Sequence, residues 1–262
     1  VCPGCERGCS INIWHRKSEW KLNALDAGLN TSIDRVTPLE NPLVNGPWTC
    51  NKARDLANIL ERPRATRPMV NGASADLAAA INAASALIEA SSRAVALVSS
   101  WGSNEELVAF HNTLGGAFRS FVKADHLPMP GERIEDDVLI KADKNPNRYA
   151  ALSMFAALPD EASSAIPADT DLVLVWGEGA PWSAVPANAR VILLTSYDQP
   201  ENSRADVLIP ISVQTERNGH YTNFEGTITA FAQCFPKHAQ ITDAASLFEV
   251  LYPSTTHAAG AK

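Results

Sequence analysis

Asp171-Leu-Val-Leu-Val-Trp176 contains five apolar residues without a break. A strand with one wet face alternates apolar and polar side chains. An unbroken apolar run belongs to a strand covered on both faces, the habit of parallel sheets. Ala94-Val-Ala-Leu-Val98, Arg190-Val-Ile-Leu-Leu194 and Asp206-Val-Leu-Ile-Pro210 read the same way. Helix-forming stretches lie around these strands. Ser74 is placed to N-cap a helix over residues 75–90, which are rich in Ala, Leu and Ile. Further helices are expected over Asn104–Thr113, Ala150–Ala157 and residues 244–252. Ser99–Ser103 is a turn, and residues 121–148 look loop-rich, with Pro128, Pro130, Gly131, Pro146 and Asn147. Alternating helix and strand predicts an α/β fold with a mostly parallel sheet.

The N-terminal quarter differs. Ser10-Ile-Asn-Ile-Trp-His15 alternates as a half-buried strand should, and Ile33-Asp-Arg-Val-Thr37 supplies a partner. Pro38, Pro42, Gly46 and Pro47 mark loops. These features predict a small antiparallel β subdomain, with Lys17–Ser32 an irregular excursion. A short helical segment begins at Cys50 and stops near Arg62-Pro63. Arg62–Pro68 reads as an extended linker over the surface, because residues before Pro avoid the helical region. The expected domains are 1–68 (subdomain and linker), 69–253 (α/β domain) and 254–262 (disordered tail).

The chain has 262 residues, a formal net charge of −7 and 45% hydrophobic residues, with a pI near 5.4. That is ample apolar content for a core. The acidic balance argues against nucleic acid and against a polybasic membrane anchor. No run of about 20 apolar residues is present to cross a bilayer directly, and no signal peptide is visible.

Four of the five cysteines form one pattern: Cys2, Cys5 and Cys9, then Cys50. C-x2-C-x3-C with a distant fourth Cys is iron–sulfur spacing. Three thiolates come from one tight loop and a fourth returns from elsewhere in the fold. Gly4 and Gly8 let backbone N–H groups approach the sulfurs, and Pro3 stiffens the loop. Two other readings stay open. A zinc site usually takes two C-x2-C knuckles, and a disulfide pair suits a small secreted chain. Reduced cysteines fit the cytoplasm. The fifth, Cys234, reads as a buried structural thiol. A ligand motif that starts at Cys2, behind Val1, is expected to continue a longer polypeptide.

Cys2-Pro-Gly-Cys-Glu-Arg-Gly-Cys-Ser-Ile and Asn41-Pro-Leu-Val-Asn-Gly-Pro-Trp-Thr-Cys50-Asn-Lys-Ala-Arg together resemble the [4Fe-4S] domain of the molybdopterin oxidoreductase superfamily. The approach Val-Asn-Gly-x-Trp-x-Cys narrows the resemblance to the large iron–sulfur subunit of respiratory complex I, the NADH–quinone oxidoreductase. Asp125-His-Leu-Pro-Met-Pro-Gly-Glu, Ala142-Asp-Lys-Asn-Pro-Asn147, Ala205-Asp-Val-Leu-Ile-Pro210 and Thr215–Gly226 look like loops of that subunit.

The resemblance implies an antiparallel subdomain carrying a [4Fe-4S] cluster, followed by a shortened molybdopterin-oxidoreductase-like α/β domain. It implies Cys2, Cys5, Cys9 and Cys50 as metal ligands, Lys52 beside the cofactor, and no catalytic residue on this chain. Further Fe-S clusters would lie in an N-terminal part absent from this sequence. The partners would be a flavin- and NADH-binding subunit and other Fe-S subunits, with the complex peripheral on the inner, cytoplasmic side of the membrane. The chain would then be an electron-transfer part of a respiratory oxidoreductase. An equivalent subunit of an NAD-linked hydrogenase or formate dehydrogenase, or a compact Mo/W-pterin enzyme, are the alternatives.

No molybdopterin is expected, because the pterin enzymes are much longer and Cys234 is misplaced for a molybdenum ligand. No Gly-x-Gly-x-x-Gly fingerprint, Ser-His-Asp signature or phosphate loop occurs. Arg54 shares Lys52's standing. His15, His126 and His220 each lack a second ligand at useful spacing. Asn218–Gly226 is expected to be a packing loop, and Glu105-Glu106 and Glu135-Asp-Asp137 solvated faces.

Overall fold

A computed structural model describes residues 1–16, 32–126 and 135–252. The expected excursion Lys17–Ser32, apart from Ser32, and the expected disordered tail lie outside the described residues, as do Pro128, Pro130 and Gly131. The fold is mixed α/β. A large, mostly parallel sheet is accompanied by two small antiparallel sheets.

Strands β1 (Ile11–His15) and β2 (Ile33–Pro38) pair antiparallel, Ile11 opposite Pro38 and Ile13 opposite Val36. The chain then turns at Asn41–Gly46 and enters two short helices, α1 (Asn51–Arg54) and α2 (Leu56–Leu60). Ala53, Leu56 and Leu60 point inward against Ile11, Ile33 and Val36 and form the core of this subdomain. Leu139 and Phe235 reach into the same core from the larger domain.

The large sheet has eight strands. In chain order they are β3 (Met69–Val70), β4 (Ala73–Ser74), β5 (Ala94–Val98), β6 (Arg119–Val122), β7 (Ala156–Ala157), β8 (Leu172–Trp176), β9 (Arg190–Thr195) and β10 (Val207–Pro210). In space the order is β4-β3-β10-β9-β8-β5-β6-β7. The six from β10 to β7 are all parallel, and the β3–β4 hairpin adds an antiparallel edge. From β5 the chain first steps outward through β6 to β7. It then returns to the other side of β5 and steps outward through β8, β9 and β10. That reversal, between β5 and β8, is the topological switch point of a doubly wound sheet.

Both faces of the sheet are buried, as the unbroken apolar strands require, but they are covered differently. One face packs under α3 (Leu77–Ala90), α4 (Asn104–Leu114), α5 (Arg148–Met154) and α6 (Ala244–Leu251). There Phe110 is fully buried, with its ring 5.1 Å from Phe248, 5.7 Å from Phe155 and 6.0 Å from Trp176. Burying one such side chain is worth about 1.5–3 kcal/mol. The opposite face, with Val95, Leu97, Val173, Val175 and Leu193, is covered by single 3-10 turns at Ala162–Ser164 and Trp182–Ala184 and by loops. Residues 177–189 and 196–206 are short crossovers punctuated by Gly177, Gly179, Pro181, Pro186 and Pro200. They hold 3-10 turns rather than α-helices.

Several details correct the sequence reading. Asp76, not Ser74, caps α3: its side chain accepts the Ala79 N–H at 2.7 Å. Ser74 pairs instead in the β3–β4 hairpin. Strand β6 occupies the front of a segment read as loop. A second hairpin, β11 (Gly219–Thr222) with β12 (Ile228–Phe231), occupies the expected packing loop. The linker does not run loosely over the surface. Arg64 grips Glu216 through two hydrogen bonds of 2.6 and 2.9 Å and donates to the Ser196 carbonyl. Arg62 stacks on Tyr197 and pairs with Glu178.

Among the described residues no helix is long and apolar enough to cross a membrane.

Candidate functional site: a pocket lined by four cysteines

Cys2, Cys5, Cys9 and Cys50 line one pocket, together with Lys52 and Ile140. The first three sit on a compact loop closed by backbone hydrogen bonds. The Cys2 N–H donates to the Cys9 carbonyl at 2.8 Å, and the Gly8 N–H to the Cys5 carbonyl at 3.3 Å. Gly8 has φ of 65°, a conformation glycine adopts without strain. Cys50 caps the N-terminal end of α1.

Asn45 joins the two cysteine-bearing segments. It is buried. Its carbonyl oxygen accepts the Ser10 N–H at 2.8 Å, and its amide donates to the carbonyls of Leu39, Gly46 and Trp48. This explains the Val44-Asn-Gly-Pro-Trp-Thr-Cys50 sequence physically. The Asn holds the approach to Cys50 against the exit from Cys9.

The α/β domain closes the other sides. Leu139 and Ile140 line the pocket. Asp136 turns the chain there by accepting the N–H groups of Val138, Leu139 and Ile140. The Glu6 N–H donates to the Asp143 carbonyl at 2.9 Å. Asn223, buried on the β11–β12 turn, donates to the Arg7 carbonyl, and the Phe224 N–H to the Glu6 carbonyl.

The sulfurs receive backbone donors. The Gly4 N–H points at Cys2 Sγ, 3.4 Å away. The backbone amides of Lys141 and Arg7 partly offset the rise of the Cys5 thiol. Burial nevertheless pushes the free thiols up, Cys9 to about 12, with the neighbouring cysteines adding to the rise. Cys2 and Cys5 are also raised, chiefly by burial. The Cys2, Cys5 and Cys9 thiols are therefore neutral at pH 7 when free, whereas a metal-coordinating thiol is deprotonated outright.

Two ammonium groups adjoin the pocket. Lys52 lies along the cysteine loop, and its pKa is lowered by burial and then by Lys144. Lys144 is 1% exposed, and the sequence reading did not single it out. Arg54 is exposed and lies outside the pocket lining. The histidines do not converge. His15 packs edge-on against Phe235, and His220 pairs with Glu105. The His126 N–H donates to Asn145, and its imidazole is lowered chiefly by burial, then by Lys52. Cys234 is half-buried against the subdomain core, not fully buried.

The switch point of the sheet carries a second concavity of about 50 Å³, room for a few waters. Its walls are engaged with one another. Fully buried Lys123 meets Asp125 at 3.1 Å, and Asp125 also accepts from Ser99 and Ser100. Glu106 was expected on a solvated face. It is buried instead, pairs with Arg217 at 3.1 Å and closes the capping box of α4 with Ser103. Its helical i, i+3 spacing from Ser103 was the available signal.

Among the described residues no group of three or more His, Cys, Asp or Glu side chains is placed to hold a metal ion. This corrects the expectation of a ready-made metal-binding group.

No family model matches the chain, and no curated protein matches it. Among solved structures, a chain from the crystal structure of the formyltransferase/hydrolase complex FhcABCD of Methylorubrum extorquens, with methylofuran, is similar. The TM-score is 0.45 at 11% identity, over 70% of this chain and 97% of that one. A likeness of that depth carries no functional argument. The resemblance to the large iron–sulfur subunit of complex I is overturned: no family model and no curated protein matches the chain. The electron-transfer role, the hydrogenase, formate dehydrogenase and Mo/W alternatives, and the flavin- and NADH-binding partners fall with it.

Proposed function

We propose that this chain is a cluster-binding protein in which Cys2, Cys5, Cys9 and Cys50 hold one [4Fe-4S] cluster, and that the cluster's role is to fasten the antiparallel subdomain to the α/β domain. One observation carries this reading. Four cysteines from two separate segments line a single pocket in which the Gly4 N–H already points at Cys2 sulfur. A zinc ion draws its sulfurs to about 2.3 Å from one point and usually takes two C-x2-C knuckles, whereas C-x2-C-x3-C with a distant fourth Cys is cluster spacing. A cube of irons and sulfides keeps its thiolates further apart, with its own volume between them. When bound, the cluster supplies metal–thiolate bonds that cross-link residues 2–9 to the start of α1.

The protein's own groups do the rest. The Gly4 N–H donor stabilises charge on the Cys2 thiolate. Lys52 offsets the negative charge of the site from its outer wall. Leu139 and Ile140 keep water from the sulfurs. The same subdomain leaves Trp14, Leu43 and Trp48 exposed, apolar area suited to burial against another subunit.

The test is substitution of Cys50 by Ser in the anaerobically purified protein. The visible absorbance and the low-temperature EPR of the reduced cluster should be lost or altered. The thermal midpoint should fall together with the iron content, while Cys234→Ser leaves both unchanged. A Cys50→Ser protein with the parental spectrum overturns the ligand assignment.

A further inference from the structure

Lys144 is 1% exposed. Residues such as Lys are almost never fully buried without a purpose that repays desolvation. Its side chain folds back along its own loop, and Nζ donates to the Lys141 carbonyl at 2.5 Å. Lys141 directly follows Leu139 and Ile140, which line the cysteine pocket. The neighbouring Asp143 carbonyl accepts the Glu6 N–H. The loop from Leu139 to Asn145 is thus laid against the Cys5 side of the pocket, with the Lys144 ammonium beneath it. That charge is felt by the Cys5 thiol and by Lys52.

We propose that Lys144 is a positioning residue for the cluster site: a buried, fixed cation that holds the Leu139–Asn145 loop against the Cys5 side of the pocket and favours added negative charge on the bound cluster. The inference rests on the cysteine assignment above. Lys52 sits on the outer wall, where solvent screens it. Lys144 lies where water is excluded and a charge acts more strongly. Hydrogen bonds to sulfur and nearby charge both set the reduction potential of such clusters. A one-electron reduction adds a negative charge to a site that is already anionic. Loss of the cation disfavours the reduced form, and the potential falls.

The experiment uses the full chain, purified or reconstituted anaerobically, with iron and sulfide counted and the potential read by EPR-monitored titration. Lys144→Met, near in size and apolar, should keep the cluster and titrate at a more negative potential. Lys144→Arg should return the potential toward that of the parent. If Lys144→Met fails to fold, Lys144→Gln, which keeps a donor for the Lys141 carbonyl, carries the same test. A loaded neutral variant with the parental potential overturns the inference and leaves the cysteine reading standing. So does an Arg variant shifted as far as the Met variant. A parental chain that takes up no iron overturns the cysteine reading, and this inference with it.

Discussion

The side-chain oxygen of Asn45 accepts the backbone N–H of Ser10 at 2.8 Å, across 35 residues of chain. Ser10 follows Cys9 directly, and Asn45 stands five residues before Cys50. This one bond sets the two cysteine-bearing segments side by side before any metal is considered. The two amide hydrogens of Asn45 are shared among three carbonyls of the intervening loop.

Asn45→Ala should therefore destabilise the protein by about 2–4 kcal/mol, since it leaves a buried donor and several acceptors without partners. Asn45→Asp should be no milder, because it sets a second acceptor against three carbonyls. Denaturant midpoints check both. Iron bound per chain should drop in parallel, although no ligand has been touched.

Gly102 lies against the ring of Trp176. A Cβ there would sit 2.5 Å from the Trp176 Cη2 atom, and the ring is held between Phe110 and Phe248. Gly102→Ala should cost about 1–3 kcal/mol, the usual range for overpacking. Trp176→Phe shortens the obstructing ring. The double variant should be less destabilised than the sum of the singles, a coupling that a double-mutant cycle measures.

Asp171 tethers the start of β8 to the end of α3. The Ser91 hydroxyl, and then Ser92 and Arg93, hold its carboxyl well below the usual carboxylate range. The folded state thus binds this proton less readily than the unfolded chain does. The stabilisation is complete above the unfolded value near 4 and fades as pH falls through the lower folded value. Asp171→Asn should be less stable than the parent at pH 7, and the gap should narrow steadily below pH 4. Urea midpoints across that range provide the measurement. A gap that stays constant to pH 2 would contradict the account.

Much of the architecture was legible in the sequence, because its strands are continuous apolar runs. Leu172–Trp176, Arg190–Thr195 and Val207–Pro210 stand close to where the pattern placed them. Strand β6 was not legible. Arg119-Ser-Phe-Val122 is only four residues long and opens with two polar ones. The hairpin β11–β12 alternates too briefly to separate from loop. The single-sided helical layer was hidden as well, since it depends on crossovers that form 3-10 turns instead of α-helices.

At the site, the four cysteines were legible from spacing alone and do line one pocket. The shell around them was not. Asn223, Asp136 and Lys144 belong to distant segments, and only the tertiary fold brings them to the cysteine loop. Family-level resemblance misled, whereas the cysteine spacing picked out four residues that line one pocket. Short motifs around a metal-type loop can be similar without the chain belonging to the family whose motifs they match.

The most direct test of the central claim is iron and acid-labile sulfide per chain in anaerobically purified protein, read with zinc in the same sample. The account expects about four of each and no stoichiometric zinc, as one cubane on four thiolates requires. Protein with one zinc and no sulfide, or with no metal after anaerobic reconstitution, would contradict it.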